Sequence, residues 1–238
     1  FRVKMIKLTE RLKAIADEID KGEKVADIGT DHGFLPIFLW ENDISPEVIM
    51  TDISEGSLKK AEENCLMLHP GHSFDLRLGS GLEVIQPAEA DCIVMAGMGG
   101  ILMTQILSED LSKTRSFKKL ILQPRNNPGI LRHWLYNNGF HISREQLARE
   151  GKYICEIITA RRGERAVIRS LEADRIEYQY PHSLIDFRGP LTCEFLSRKL
   201  NEEKRILSGM MKGKNPDKKE MRSQEYRIDY LERLIKKL

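Results

Sequence analysis

A chain of 238 residues with 41% hydrophobic and 31% charged residues is long enough for one substantial core plus an appendage, and this balance excludes a disordered chain. No apolar run reaches the roughly 18 to 20 residues of a membrane helix and no secretory signal opens the sequence, so a cytoplasmic protein with no membrane partner is expected. The four cysteines (Cys65, Cys92, Cys155, Cys193) form neither a CxxC pair nor a zinc spacing, so no metal is expected, and Cys92 and Cys155 read as buried thiols.

From Met5 the sequence reads like a natural beginning, and Leu8, Leu12, Ile15, Ala16 and Ile19 recur at helical spacing behind Thr9. After this first helix, strand-like and helical runs alternate. Lys24–Ile28 predicts a strand, Leu35–Trp40 a helix, Val48–Asp52 a strand, and Ser54–Leu68 a long amphipathic helix. Phe74–Leu78 and Asp91–Ala96 predict strands, Ile101–Leu107 a helix, Lys119–Gln123 a strand, and Ile130–Asn138 a helix stopped by Gly139. The strands are short, apolar and without alternation, as expected where helices cover both faces of a parallel sheet. Phe140–Glu150 and Tyr153–Ala160 then read as two successive strands joined at Gly151–Lys152, a hairpin that closes an otherwise parallel sheet.

Around Arg161–Ala166 the alternation ends. Residues 191–212 predict a helix with Leu196, Leu200, Leu207 and Met210 on one stripe, interrupted by Glu203. Gly213–Pro216 turns the chain, and Met221, Ile228, Leu231, Ile235 and Leu238 follow at heptad-like spacing, with Gln224 in the missing position. The pattern is an antiparallel helical hairpin of coiled-coil type, and it divides the chain into an α/β domain over residues 1–162 and a helical domain over residues 163–238. Residues 1–160 hold 19 Lys+Arg against 23 Asp+Glu, and residues 161–238 hold 19 against 13. A basic tail behind an acidic front fits either a grip on a polyanion or a solvated helical face.

The segment VADIGTDHG, Val25 to Gly33, carries the strongest signal. A buried strand delivers Asp27 and Gly29 to the edge where open α/β sheets bind ligands. A nicotinamide fingerprint needs a second glycine where this chain has Asp31. A carboxylate there repels a pyrophosphate and attracts a sulfonium or an ammonium, which argues for S-adenosylmethionine over NAD. Asp52, ending the second strand, suits a ribose diol, or else caps the helix beginning near Ser54. Gly79, Ser80 and Gly81 follow the third strand, where an adenine ring would lie. The run AGMGG (Ala96–Gly100) follows the fourth, and its glycines read as a close backbone approach to a ligand. QPRNNPG (Gln123–Gly129) ends the fifth with polar amides.

These motifs together resemble the bacterial tRNA (adenine-22-N1)-methyltransferase family, TrmK. The likeness is carried by Asp27–His32, Gly79–Leu82, Gly97–Gly100, Gln123–Arg125, Arg132–Leu135 and, in part, Arg188–Leu191. Two positions depart from the family pattern: Ser80 replaces an acidic or amide residue, and Arg125 stands where Asn is usual, with Asn126 next to it. The resemblance implies a doubly wound, mostly parallel, Rossmann-like methyltransferase sheet, S-adenosylmethionine as cofactor and tRNA as partner. The expected cofactor set is Asp27, Gly29, Thr30, Asp31, His32, Asp52, Ile53, Gly79, Ser80, Gly81, Ala96, Gly97, Met98 and Gly99. Asp31 is the candidate for stabilising charge on the base, with Gln123 and Asn126 holding it. His32 reads as a base ligand or, more simply, as a structural hydrogen bonder. A monomer, or at most a weak dimer, is expected. Methylation of another RNA position or of a small molecule stays open, as does a cofactor-binding scaffold whose helical tail docks a protein.

Overall fold

The structure, a computed structural model, describes residues 6–163, 175–212 and 217–238. Met5, the second half of the Arg161–Ala166 stretch where the alternation ends, and the Gly213–Pro216 turn lie outside the described residues. In chain order the elements are α1 (Glu10–Ala16), β1 (Val25–Ile28), α2 (Phe34–Glu41), β2 (Val48–Asp52), α3 (Glu55–Leu68), β3 (Asp75–Leu78), β4 (Cys92–Met98), α4 (Gly100–Glu109) and α5 (Leu111–Thr114). They continue as β5 (Lys119–Pro124), α6 (Pro128–Asn137), β6 (Phe140–Glu150), β7 (Tyr153–Arg162), α7 (Ile176–Gln179), α8 (Ser183–Asp186), α9 (Thr192–Met211) and α10 (Lys218–Ile235).

Seven strands form one sheet in the order β3-β2-β1-β4-β5-β7-β6; the pairs from β3 to β5 are parallel, and β7 runs antiparallel to both its neighbours. The absence of alternation has the expected cause. Ala26, Ile28, Ile93, Met95, Leu120 and Leu122 pack under α4 and α6 on one face, while Val25, Cys92, Val94 and Ile121 pack under α1 and α2 on the other. Helix ends follow local chemistry: Thr9 caps α1 through Leu12 N, Ser54 caps α3 through Ser57 N, and Asp217 caps α10 through the amides of Lys219 and Glu220. The helix over Pro128–Asn137 ends just before Gly139, whose φ of +83° favours glycine.

The helical region is no separate appendage. Ile176, Tyr180, Leu184, Phe195, Leu196, Tyr230, Leu231 and Leu234 share a core with Leu147 and Ile154 of the β6–β7 hairpin. Arg132 of α6, fully buried, pins this junction. Its guanidinium pairs with Glu145 at 2.6 Å and Glu156 at 2.5 Å and donates to the carbonyl oxygens of Tyr178 at 2.9 Å and Gln179 at 3.2 Å. Burial pushes the Glu156 carboxyl above its ordinary value, against the pull of Arg132.

The two irregular positions of the helical stripes meet each other. Gln224 donates through Nε2 to the Glu203 carboxylate at 2.6 Å, and Arg227 donates to the same carboxylate at 2.7 Å. A satisfied polar pair inside an apolar seam fixes register, as buried polar residues do in coiled coils. The stripe itself is corrected at its end. Leu238 is exposed, and Tyr230 and Leu234, absent from the predicted stripe, are buried instead. Of the two cysteines read as buried, Cys92 is, while Cys155 is only half-buried and reaches a cavity; Cys65 is buried on the inner face of α3.

Candidate active site

The turn between β1 and α2 is built from unusual backbone. Gly29, Asp31 and Gly33 have φ of +78°, +49° and +70°, the left-handed region that glycine enters freely and aspartate tolerates. The turn is sewn to β2 by the amides of Gly29 and Thr30, which donate to the Thr51 carbonyl oxygen at 2.8 and 2.9 Å. Asp52 braces both flanks: one carboxylate oxygen accepts the Asp31 amide at 3.3 Å and the other accepts the Ser54 amide at 2.8 Å. It thus organises the turn before α3, while Ser54 makes the cap. Next to it Ile53 is an isolated apolar side chain, 74% exposed at the sheet edge.

Asp27 is buried below this turn and accepts the Thr30 hydroxyl at 2.7 Å. Burial pushes its carboxyl up to about 6, the Thr30 hydrogen bond opposes that, and the Asp52 charge adds to it. Asp31 extends an exposed carboxylate, with His32 Nδ1 2.9 Å from Oδ2 but outside hydrogen-bond geometry. The His32 ring lies against Phe34, and its carbonyl oxygen accepts Asn64 Nδ2 at 2.9 Å. Three carboxylates at the edge of β1 and β2 suit an ammonium and a ribose diol, and they repel a pyrophosphate.

Several glycines answer to the protein itself as much as to a ligand. A Cβ on Gly79 would sit 2.3 Å from Val84 and one on Gly81 2.7 Å from Ile106. A Cβ on Gly100 would sit 2.5 Å from the Asn127 carbonyl oxygen, so this glycine lets α4 start flush against the β5–α6 loop. Gly97 sits at a register shift between β4 and β5 with φ of +78°, a bulge that turns the strand end outward beside the Arg125 guanidinium. The backbone of the two loops is tied where the Arg125 amide donates to the Met98 carbonyl oxygen at 2.7 Å.

A cavity of about 730 Å³ opens on the far side of this bulge, between the ends of β4 and β5, the β6–β7 hairpin and α9. Gly97, Gln123, Arg125 and Asn126 line it, so the structure brings Gln123 and Asn126 together; Asp31 is not among the lining residues and stays with Asp27 and Asp52. Gln123 is buried, with Oε1 accepting from Arg11 at 3.1 Å and Nε2 donating to the Pro124 carbonyl oxygen at 3.2 Å. Arg11 also pairs with Glu150 at 2.5 Å. Asn126 is exposed and accepts from the Asn127 side chain at 3.1 Å.

Sequence reading missed Arg11, Glu150, Tyr153, Glu156, Phe195 and Lys199, which also line the cavity. Arg11 alone left a trace: it is a cation at the spacing of the apolar stripe of Leu8 and Ile15. The others come from elements whose meeting no local pattern reveals. Among the described residues no group of His, Cys, Asp and Glu is arranged to hold a metal ion, and no helix is long and apolar enough to cross a membrane.

Comparison with known proteins agrees with this geometry. Residues 8–158 match the methyltransferase-domain family. The tRNA (adenine(22)-N(1))-methyltransferase of Bacillus subtilis is 34% identical over 160 residues, 67% of each chain. The crystal structure of the B. subtilis m1A22 tRNA methyltransferase TrmK superposes with a TM-score of 0.84 at 27% identity, over 98% of this chain and 100% of that one. A Streptococcus pneumoniae protein solved in complex with S-adenosyl-L-methionine gives 0.82 at 26% identity, over 96% of this chain and 100% of that one. By its sheet order, its motifs and these relatives, the chain belongs to the methyltransferase-domain family and, within it, to the bacterial tRNA (adenine-22-N1)-methyltransferases.

Proposed function

We propose that this protein transfers a methyl group from S-adenosylmethionine to N1 of adenine 22 in tRNA. The observation that carries the reading is the pairing of an acidic edge at β1 and β2 with a separate cavity at the ends of β4 and β5: Gly97 lines the cavity, and Met98 beside it packs against Gly29 of the acidic turn. S-adenosylmethionine supplies an electrophilic methyl on a sulfonium. Asp27, Asp31 and Asp52 hold its ammonium and ribose, and the backbone from Ala96 to Gly99 borders the transferable group. Ile53, Gly79, Ser80 and Gly81 would hold the cofactor's adenine.

Adenine N1 carries a free lone pair, so displacement needs no general base, and the base gains a positive charge as the bond forms. Alignment, exclusion of water and neutralisation of that charge are what the protein contributes. Gln123 and Asn126 orient the base. Glu150 and Glu156 line the same cavity but are paired with Arg11 and Arg132, so the carboxylate left for the developing cation is that of Asp31 in the neighbouring turn. N1 lies on the Watson–Crick edge, so a paired target must be exposed before attack. The basic helical region, residues 163–238, contacts phosphates through Lys and Arg. Incubation of an unmodified tRNA pool with enzyme and cofactor, followed by mass mapping, is expected to place one methyl on adenine 22. Methylation elsewhere, or of no tRNA, overturns the reading.

The buried carboxyl of Asp27 makes cofactor affinity depend on pH. An unfolded aspartate titrates near 3.9, whereas the folded group titrates at about 6. Its contribution to stability is therefore present below about pH 4 and is lost as pH rises through about 6. A bound ammonium favours the carboxylate, so binding expels the proton. Calorimetric titration from pH 8 down to 5 is expected to show affinity falling below about pH 6 by up to roughly 10-fold per pH unit. In Asp27→Asn the affinity is lower and that profile flat; an unchanged profile removes Asp27 from the cofactor site.

A further inference from the structure

Tyr153 is the most exposed aromatic residue of the cavity wall. It opens β7 directly after the Gly151–Lys152 turn, 63% exposed. Strand propensity alone is met by threonine or valine at such a place, without presenting a large ring to water. The hairpin tip is held in place: Arg198 of α9 donates to the Lys152 carbonyl oxygen at 2.8 Å, and Glu194 of α9 pairs with both Arg149 and Arg198. The ring is thus offered to solvent from a fixed position rather than from a frayed end.

Both walls repeat one chemistry. The Lys152 ammonium lies 5.3 Å from the Tyr153 ring centroid, and on the α9 side the Lys199 ammonium lies 5.8 Å from the centroid of Phe195. Phe195 is buried in the shared helical core, so the free face is that of Tyr153. Lys199 is also paired with Glu202 at 3.0 Å, and Glu150 at the rim is neutralised by Arg11. An exposed aromatic face beside cations, at the mouth of a cavity lined by buried polar groups, fits a nucleotide withdrawn from its stack: base on the ring, phosphate on the ammonium.

We propose that Tyr153 is the stacking platform for the extruded adenine, with Lys152 and Lys199 holding its flanking phosphates; this rests on the tRNA reading above. The assignment has a consequence for rate as well as binding. Bond formation from N1 to the methyl carbon breaks the carbon–sulfur bond, leaves its electron pair on sulfur and leaves the adenine cationic. An aromatic face attracts a cation more than a neutral ring. Tyr153 therefore binds the transition state more tightly than the ground state.

The test uses the full chain with an unmodified tRNA transcript carrying adenine at position 22. Tyr153→Ala is expected to lower kcat/KM for that tRNA by about 5- to 150-fold, the range of one base–aromatic stack. Part of the loss falls in the single-turnover rate at saturation. Tyr153→Phe retains activity, and Tyr153→Leu, apolar but without a ring, is impaired. Cofactor affinity and melting temperature stay at wild-type values in all three, because the side chain is exposed. Lys152→Gln is expected to make tRNA binding less steeply salt-dependent. If wild-type enzyme methylates the transcript and Tyr153→Ala or Tyr153→Leu matches it, the platform is overturned. If the wild type itself leaves the transcript unmethylated, the failure lies with the proposed function.

Discussion

Replacing Arg132 with methionine is expected to destabilise the protein by about 3–5 kcal/mol, a fall in melting temperature of roughly 6 to 20 °C for a chain of this size. The side chain is wholly buried between Glu145 and Glu156 and bridges α6 to β6, β7 and the Tyr178–Gln179 backbone. Its removal leaves two carboxylates without their counter-ion and two carbonyl oxygens without their donor. The loss comes from those stranded groups rather than from lost packing, because methionine fills much of the same volume. Protonation relieves stranded carboxylates, so the deficit is expected to shrink as pH falls from 8 to 5. Converting Glu145 and Glu156 to leucine in the same variant should recover much of the stability. Chemical denaturation of the three proteins at pH 7.5 checks this. A deficit below about 1 kcal/mol for Arg132→Met, a typical single-mutation value, removes Arg132 as the anchor of the helical region.

Gly29→Val is expected to abolish binding of S-adenosylmethionine in calorimetry. At φ of +78° a β-branched residue is strained whatever its surroundings, and the new Cβ would lie 2.4 Å from the Met98 methyl. The β1–α2 turn then shifts and carries Asp31 away from Asp52. Asp31→Asn is the gentler companion, because asparagine accepts the left-handed φ of +49° at that position. If Asp31 acts on the developing charge of the base, this variant loses single-turnover rate at saturating cofactor more than it loses cofactor affinity. If Asp31 holds the ammonium, affinity falls and the rate survives. Wild-type affinity in a folded Gly29→Val protein would sink the cofactor assignment of this turn.

The strands and the longer helices were readable from the sequence, while the one-turn helices α5, α7 and α8 were not. Doubly covered strands are continuous apolar runs, and Ser54, Pro128 and Gly139 act on their own immediate backbone. The crevice was readable for the same reason: Asp27, Gly29, Asp31 and Asp52 sit at strand ends, and the parallel topology gathers those ends on one edge. The reasons for particular glycines were not readable. That Gly79 makes room for Val84, Gly81 for Ile106 and Gly100 for the Asn127 carbonyl oxygen depends on packing distances.

From charge and heptad spacing alone, residues 191–238 read as a detachable tail whose deletion leaves cofactor affinity nearly intact and sharply reduces tRNA binding and turnover. The structure gives Phe195, Leu196 and Leu231 a common core with Leu147 and Ile154, so that cut exposes part of the sheet hairpin. The sequence by itself determined the alternation, the sheet edge and the acid-rich turn, because each is written in contiguous residues and local backbone preference. Only the tertiary structure decided the cavity. Arg11, Gln123, Tyr153 and Lys199 line it from α1, β5, β7 and α9, and long-range packing sets their meeting. The Arg132 cluster was settled the same way, since a fully buried arginine is tolerable only where Glu145 and Glu156 converge on it from two paired strands.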